Sequence, residues 1–339
     1  MTDMAVTARG VLLLTEGGRI LRWTPGERSG TEVGRTTIAP VAHGHAPRQG
    51  DETFRLHASE DGLFAAVVID HGRYGEVIDL TTGRVTLPLR NDGYCSTTVP
   101  FSCTFTLHEQ RCVVVYRDRW NRLRACEAAT GRSLTQMPTD DEGAPWVSVF
   151  HGAALASPGG SRIVSDAWHW PGFGSVLVWN LETWLGKGDA AWPAAVGFSQ
   201  VAGGRDLWNR PLVWLDEDSL IVGGIGGSRQ TMVDGATVYR FSRTDAQQPE
   251  MTSFAGPRGR FFVVDGLLCS VGHAGTDVWD PQRGARIAVI PGFRPTHRGR
   301  GDGELLHLDS ATATVRGWSI RRTGTTTAAR RARATSLLT

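Results

Sequence analysis

The side chains best suited to recognition fall in four short polar stretches, each entered from an apolar run. They read Asp70-His71-Gly72-Arg73-Tyr74-Gly75, Arg117-Asp118-Arg119-Trp120-Asn121, Trp168-His169-Trp170-Pro171-Gly172-Phe173-Gly174 and Gly226-Gly227-Ser228-Arg229-Gln230-Thr231-Met232. Tryptophan, tyrosine and arginine offer large rigid area, stacking and directional hydrogen bonds, the chemistry of binding hot spots. Arg73, Tyr74, Arg119, Trp120, Trp168, His169, Trp170 and Arg229 are therefore the candidate binding residues. Exposed aromatic loops cost solubility unless something covers them, which points to a partner or ligand. The competing reading of Trp168, Trp170 and Phe173 is a small core folded under their own loop, and the sequence leaves both open.

Catalytic and metal chemistry is poorly marked by comparison. His43 and His45 could ligate one metal from alternate positions on an extended segment, while His57, His71, His169 and His273 stand singly. No H-x-x-x-H or H-E-x-x-H spacing occurs, so no metal site is expected. Gly-x-Ser-x-Gly is absent; Pro158-Gly159-Gly160-Ser161 reads as a tight turn and Gly226-Gly227-Ser228 as a flexible loop. The glycine-rich run Gly223 to Gly227 lacks the lysine and helix that would make it a phosphate cradle. No catalytic residue and no cofactor is assigned. Five cysteines, odd in number and without C-x-x-C spacing, sit mostly in apolar runs, as expected of reduced thiols in a cytoplasmic protein. The first residues carry no basic stretch of the secretory kind, and the longest apolar run, residues 63–69, is too short to cross a bilayer, so no membrane partner is expected.

The elements that position these stretches recur seven times. Apolar segments climb to Trp23, Ile78, Cys126, Trp179, Phe241, Trp279 and Trp318, spaced by 55, 48, 53, 62, 38 and 39 residues. A period of this size, in units rich in short strands, marks radial repetition, because one such sheet cannot bury both faces alone. The following turns agree: Asp79-Leu80-Thr81-Thr82-Gly83-Arg84 and Glu127-Ala128-Ala129-Thr130-Gly131-Arg132 are near-copies, and Asp280-Pro281-Gln282-Arg283-Gly284-Ala285 is a looser third. Each places glycine where a positive φ lets the strand reverse. With 42 glycines and 16 prolines, turns are expected to dominate and no helical segment stands out. At Val278-Trp279-Asp280 and Val178-Trp179-Asn180 the chain resembles the WD40-repeat β-propeller proteins, whose Trp-Asp dipeptide would sit there.

That resemblance implies an all-β, seven-bladed propeller of four antiparallel strands per blade, labelled a to d from the channel outward. The anchors end the c strands. The b strands are expected at 11–15, 63–69, 111–116, 162–167, 220–224, 267–271 and 304–308, and residues 2–8 form the innermost strand of blade one. The four polar stretches become b-to-c loops, sharing a face with the d-to-a connections, among which 192–208 is placed. Residues 1–322 form the propeller, and residues 323–339 are either a basic tail or the strand closing the last blade. Net charge is +2, with five arginines in the last nineteen residues, so the body is mildly acidic and nucleic acid is not the expected partner. The expected function is a non-catalytic WD40-type scaffold docking a protein or peptide segment, with a small ligand as second class, on the b-to-c and d-to-a face. The alternative is a hydrolase- or lactonase-like propeller enzyme at the central channel. It needs carboxylates such as Asp51, Glu52, Asp141, Glu142, Asp206 and Asp302 to converge on one spot.

Overall fold

Alternating apolar runs and tight turns build seven antiparallel sheets in a computed structural model. It describes residues 1–24, 26–27, 29–39, 52–135, 149–186, 198–242, 248–301, 303–323, 326–331 and 335–336, with side chains through residue 320. Blade one holds β1 (Asp3–Thr7), β2 (Gly10–Leu14), β3 (Arg19–Trp23) and β4 (Thr31–Arg35). Blade two holds β5 (Thr53–Ala58), β6 (Phe64–Asp70), β7 (Tyr74–Asp79) and β8 (Arg84–Arg90). Blade three shows β9 (Cys103–His108), β10 (Arg111–Arg119) and β11 (Arg122–Glu127), with a single bridge from Cys126 to Ser133 on the outer side. Blade four has β12 (Val149–Ala156), β13 (Arg162–His169), β14 (Phe173–Asn180), the helix α1 (Leu181–Gly186) and β15 (Ser199–Arg205).

Blade five follows with β16 (Leu212–Asp216), β17 (Ser219–Ile225), β18 (Val233–Arg240) and β19 (Glu250–Ala255), and blade six with β20 (Arg260–Val264), β21 (Leu267–Gly272), β22 (Gly275–Asp280) and β23 (Ala285–Pro291). Blade seven has β24 (His297–Arg298), β25 (Glu304–Asp309), β26 (Thr314–Thr323) and β27 (Thr326–Arg331), and β28 (Thr335–Ser336) pairs with β26 beyond it. The fold is a seven-bladed β-propeller, with strands running outward in chain order in every blade. Gly83, Gly131 and Gly284 take φ of 71°, 70° and 62°, the left-handed geometry their turns require.

Three details differ from the sequence-based expectation. Tyr239, not Phe241, is the blade-five counterpart of Trp179 and Trp279. It pairs with Leu220 at the second position of β17, as Trp179 does with Ile163 and Trp279 with Leu268. Residues two apart on a strand face the same side, so an aromatic pair at i and i+2 hides the register. Residues 199–205 are the d strand of blade four rather than part of a connection, and their Ser-Gln-Val-Ala-Gly-Gly-Arg sequence carries no apolar alternation to announce them. The short helix α1 is the third departure. Asn180 Oδ1 accepts the Thr183 amide at 2.8 Å and caps its start, while Leu181 and Trp184 are buried against Trp179.

Among the described residues, each pair of neighbouring blades shares an apolar cluster. Leu14, Ile20, Leu56 and Ile78 join blades one and two, and Ala66, Val77, Val114 and Cys126 join two and three. Val113, Leu123, Ile163 and Trp179 join three and four, and Val164, Val178, Trp214 and Tyr239 join four and five. Ile221, Val238, Phe261 and Trp279 join five and six, and Cys269, Ile290, Leu305 and Ile320 join six and seven. The ring closes without strand exchange: Met4, Val11 and Trp23 meet Leu306, Leu308 and Val315. On the channel side Asp3 ties three innermost strands, meeting His297 Nε2 at 3.1 Å and accepting the Leu56 amide at 2.8 Å.

Candidate functional site

An eighth apolar cluster joins the seven, and it lies outside the sheets' shared faces. Val99, Phe150 and Trp168 form its buried part, with Cys95, Trp120 and Trp208 packed on it. Its rings come from different elements: Tyr94 from the connection between blades two and three, Trp120 from the β10–β11 turn, and Phe150 from the start of β12. Trp168 is next to last in β13, Trp170 follows in the β13–β14 turn, and Trp208 lies between blades four and five. All these points lie at the same end of the antiparallel strands, so the b-to-c and d-to-a segments share one face.

The rings form a continuous series. Trp120 meets the Tyr94 ring edge-on at 5.8 Å and leans on Phe150 at 4.6 Å. Phe150 stacks on Trp168 at 4.2 Å with planes 13° apart, and Trp168 meets Trp170 at 6.0 Å and Trp208 at 5.8 Å. The middle is closed and the ends are open: Trp168 is 4% exposed, whereas Trp170 is 75% and Tyr94 60% exposed. Both sequence readings of the aromatic loop are therefore present in one structure, a small core in its middle and bare aromatic surface at its ends.

Hydrogen bonds fix the segment that carries Tyr94. Asn91 donates from Nδ2 to the Gly72 carbonyl at 3.1 Å, and His71 Nδ1 lies 3.2 Å from the Thr97 carbonyl. Asp92 accepts the Tyr94 amide at 3.1 Å and the Trp120 amide at 3.2 Å. From the far side Asn209 Nδ2 donates to the Thr98 carbonyl at 3.1 Å, spanning blade four. The cluster thus has a scaffolded floor, the setting in which exposed side chains can recognise a partner with little ordering cost.

Arginines share the face with the rings. Arg73 lies against Gly93, where a Cβ would come 2.6 Å from its Nε, and so borders Tyr94. Arg205 and Arg229 are tied by the Arg229 amide on the Arg205 carbonyl at 3.0 Å, and both side chains are exposed, as is Arg119. Tyr74 stands apart, with Arg73 and Arg90 each 5.9 Å from its ring centroid. His169 is held within its own hairpin by Ser175 Oγ at 2.9 Å and Phe173 at 6.5 Å. The structure thus brings Trp120, Trp168 and Trp170 into one ring series with Arg73 at its border. Tyr74 lies away from that series.

Beneath this face lie charged groups that no sequence motif marks. Arg117 is 1% exposed; its Nη1 donates to the His151 carbonyl at 2.6 Å, while Nε and Nη2 have no hydrogen-bond partner. Burial lowers its pKa to about 10 against the opposing pull of Asp92 and Asp70. Asp166 is fully buried, accepts the Arg210 amide through Oδ2 at 2.8 Å and leaves Oδ1 unpartnered. Burial raises its carboxyl to about 7, although the Arg210 and Asn209 amides and the Arg210 charge pull it down. Arg210 likewise leaves Nε and Nη2 unpartnered. The sequence marks Asp166 as a charge inside an apolar b strand, where charge is rarely buried without a reason, but it reads Arg117 as part of a b-to-c loop; β10 instead runs to Arg119 and carries Arg117 into the interior.

Other chemistry finds little support among the described residues. No three His, Cys, Asp or Glu side chains gather as a metal site there. The five cysteines are unpaired; burial pushes the Cys112 and Cys269 thiols up to about 12 and raises Cys103 as well, the opposite of an activated nucleophile. Of the carboxylates considered for a channel site, Asp51, Asp141, Glu142 and Asp302 lie outside the described residues, as do His43, His45 and residue 192. Asp206 is exposed on the loop face, its amide bonded to the Gly172 carbonyl at 2.8 Å.

No family model matches the chain, and no curated protein is similar to it in sequence. Among solved structures it is similar to the β-propeller domain of Myceliophteria thermophila Cps50 (Swd1). The match has a TM-score of 0.54 and 10% identity, and covers 94% of this chain and 93% of that one. At that identity the likeness is one of fold, and it agrees with the seven sheets: the chain is built as a β-propeller.

Proposed function

We propose that the protein is a non-catalytic docking scaffold of WD40 type, holding a segment of another protein on its b-to-c and d-to-a loop face around blades three and four. One observation carries the reading: a ring series anchored in a hydrogen-bonded floor ends in two bare aromatic side chains, Trp170 and Tyr94. Large apolar side chains left in water on a rigid base gain most from a partner that covers them. The five unpaired cysteines support a reducing, cytoplasmic setting.

The test compares the wild type with a Tyr94→Ala/Trp170→Ala variant, each immobilised and exposed to native-host extract, with mass spectrometry of what is retained. At equal melting temperature, at least one protein held by the wild type should be lost from the variant. Identical retained sets would sink the proposed face. A companion Trp120→Ala variant should lose stability as well, because Trp120 packs on Phe150 within the small core.

A further inference from the structure

The charge around the ring series is one-sided. Among the described residues of the loop face in blades two to five, Arg73, Arg90, Arg119, Arg205 and Arg229 are exposed. The exposed carboxylates there are Asp92, Asp206 and Asp234; Asp92 already accepts the Tyr94 and Trp120 amides, and Asp234 lies 3.7 Å from the Arg258 guanidinium. Asp118 is committed elsewhere, to a bidentate pair with Arg122 at 2.7 and 2.6 Å.

The floor holds two further guanidinium groups beside the buried carboxylate of Asp166. Arg117, wholly enclosed, presents Nε and Nη2 without a partner, and these two atoms form the edge of a guanidinium that engages a carboxylate through parallel hydrogen bonds. Arg210 leaves the same edge unpartnered. Positive charge held in a low-dielectric floor is screened less than charge in water, so it adds to the potential that an approaching anion meets.

We infer that the partner segment is an acidic peptide carrying an aromatic residue, its carboxylates drawn to Arg73, Arg205 and Arg229 and its ring laid against Trp170 or Tyr94. This rests on the docking reading above and names the chemistry of what docks. Ring geometry favours peptide over the other common polyanion, single-stranded nucleic acid. Successive bases need a row of open ring faces, whereas Phe150 and Trp168 spend theirs on each other and Trp120 leans on Phe150. Two separated open rings suit one or two side chains, not a stacked strand.

A library of random twelve-residue peptides displayed on phage tests this with the partner still unidentified. It is selected on the full-length protein and depleted on the Tyr94→Ala/Trp170→Ala variant. The enriched peptides should be rich in Asp and Glu with at least one aromatic residue. A synthetic peptide from that pool, read by fluorescence anisotropy, should weaken at least tenfold in an Arg73→Gln/Arg229→Gln variant of unchanged melting temperature. Raising the salt should weaken it too. A neutral or basic pool that still depends on Trp170 would overturn the acidic partner and leave the docking face standing. A pool with no dependence on Tyr94 and Trp170 would overturn both. A thymidine oligonucleotide binding more tightly than the best peptide would overturn the peptide assignment.

Discussion

Trp279 and Trp170 are the same residue type at two places in the repeat, and they behave as different materials. Trp279, next to last in β22, is closed between blades five and six by Phe254, Phe261 and Leu268, and its Nε1 donates to Ser270 Oγ at 3.0 Å. Trp170, the first residue past the end of β13, meets Trp168 on one side and is otherwise largely exposed. A ring on strand c always has the neighbouring blade to cover it. A ring on a b-to-c loop has no blade above it, and only another loop or another molecule can bury it. Unpartnered buried polar atoms occur in both settings: the indole Nε1 of Trp179 and Trp184 in an inter-blade core, and atoms of the charged groups Arg117, Asp166 and Arg210 beneath the loop cluster. A buried charge left short of partners costs more stability than a neutral donor in the same position, so the floor beneath the loop cluster is the more costly of the two.

The comparison breaks most directly at its stable end. Trp279→Ala should cost about 3 to 5 kcal/mol, the range for emptying a buried aromatic position that its neighbours cannot refill. Urea denaturation at two wavelengths measures it. A loss within experimental error would mean that the inter-blade ring is no more structural than the rim.

A smaller effect, confined to a pH window, comes from the polar floor. Burial holds the Asp166 carboxyl up at about 7, whereas in the unfolded chain it titrates near the ordinary aspartate value of about 4. Between those values the folded protein carries a proton that the unfolded chain has released, so stability should fall as pH rises from about 4 to about 7 and level off above. Asp166→Asn keeps an acceptor for the Arg210 amide and cannot ionise. Wild type and variant should therefore be closely matched near pH 4 and diverge by pH 8 in favour of the variant. Parallel melting curves across that range would show that Asp166 has found a partner for its second oxygen.

The same contrast explains what is legible in the sequence. Strands b and c are enclosed on both faces, so their apolar runs stand out: strands expected at 162–167 and 304–308 are observed as Arg162–His169 and Glu304–Asp309. Strand d is outermost and half in water, so β15 and β19 carry little pattern and β15 reads as a connection. Glycine-bearing turns are readable because their chemistry is local. The loop cluster is half readable: Trp120, Trp168 and Trp170 announce themselves by type. Phe150 and Tyr94 join them only through topology, since blade three must fold between those two segments before they meet.

At the other end of the scale, Trp170→Ala should leave stability within about 0.5 kcal/mol of wild type, as for surface positions that touch few neighbours. Its ring contributes one edge to Trp168, whose opposite face is already stacked on Phe150, so its removal opens no cavity inside a blade. Binding of the selected acidic peptide should nevertheless weaken several-fold, because the lost ring is the largest apolar area that a docked segment can cover. Trp170→Phe should recover part of that affinity by restoring a flat ring, whereas Trp170→Leu, similar in hydrophobic character but without a π face, should recover less. Leucine performing as well as phenylalanine would reduce the rim to greasy surface. A drop in melting temperature for all three would move Trp170 into the small core and erase the distinction between it and Trp279.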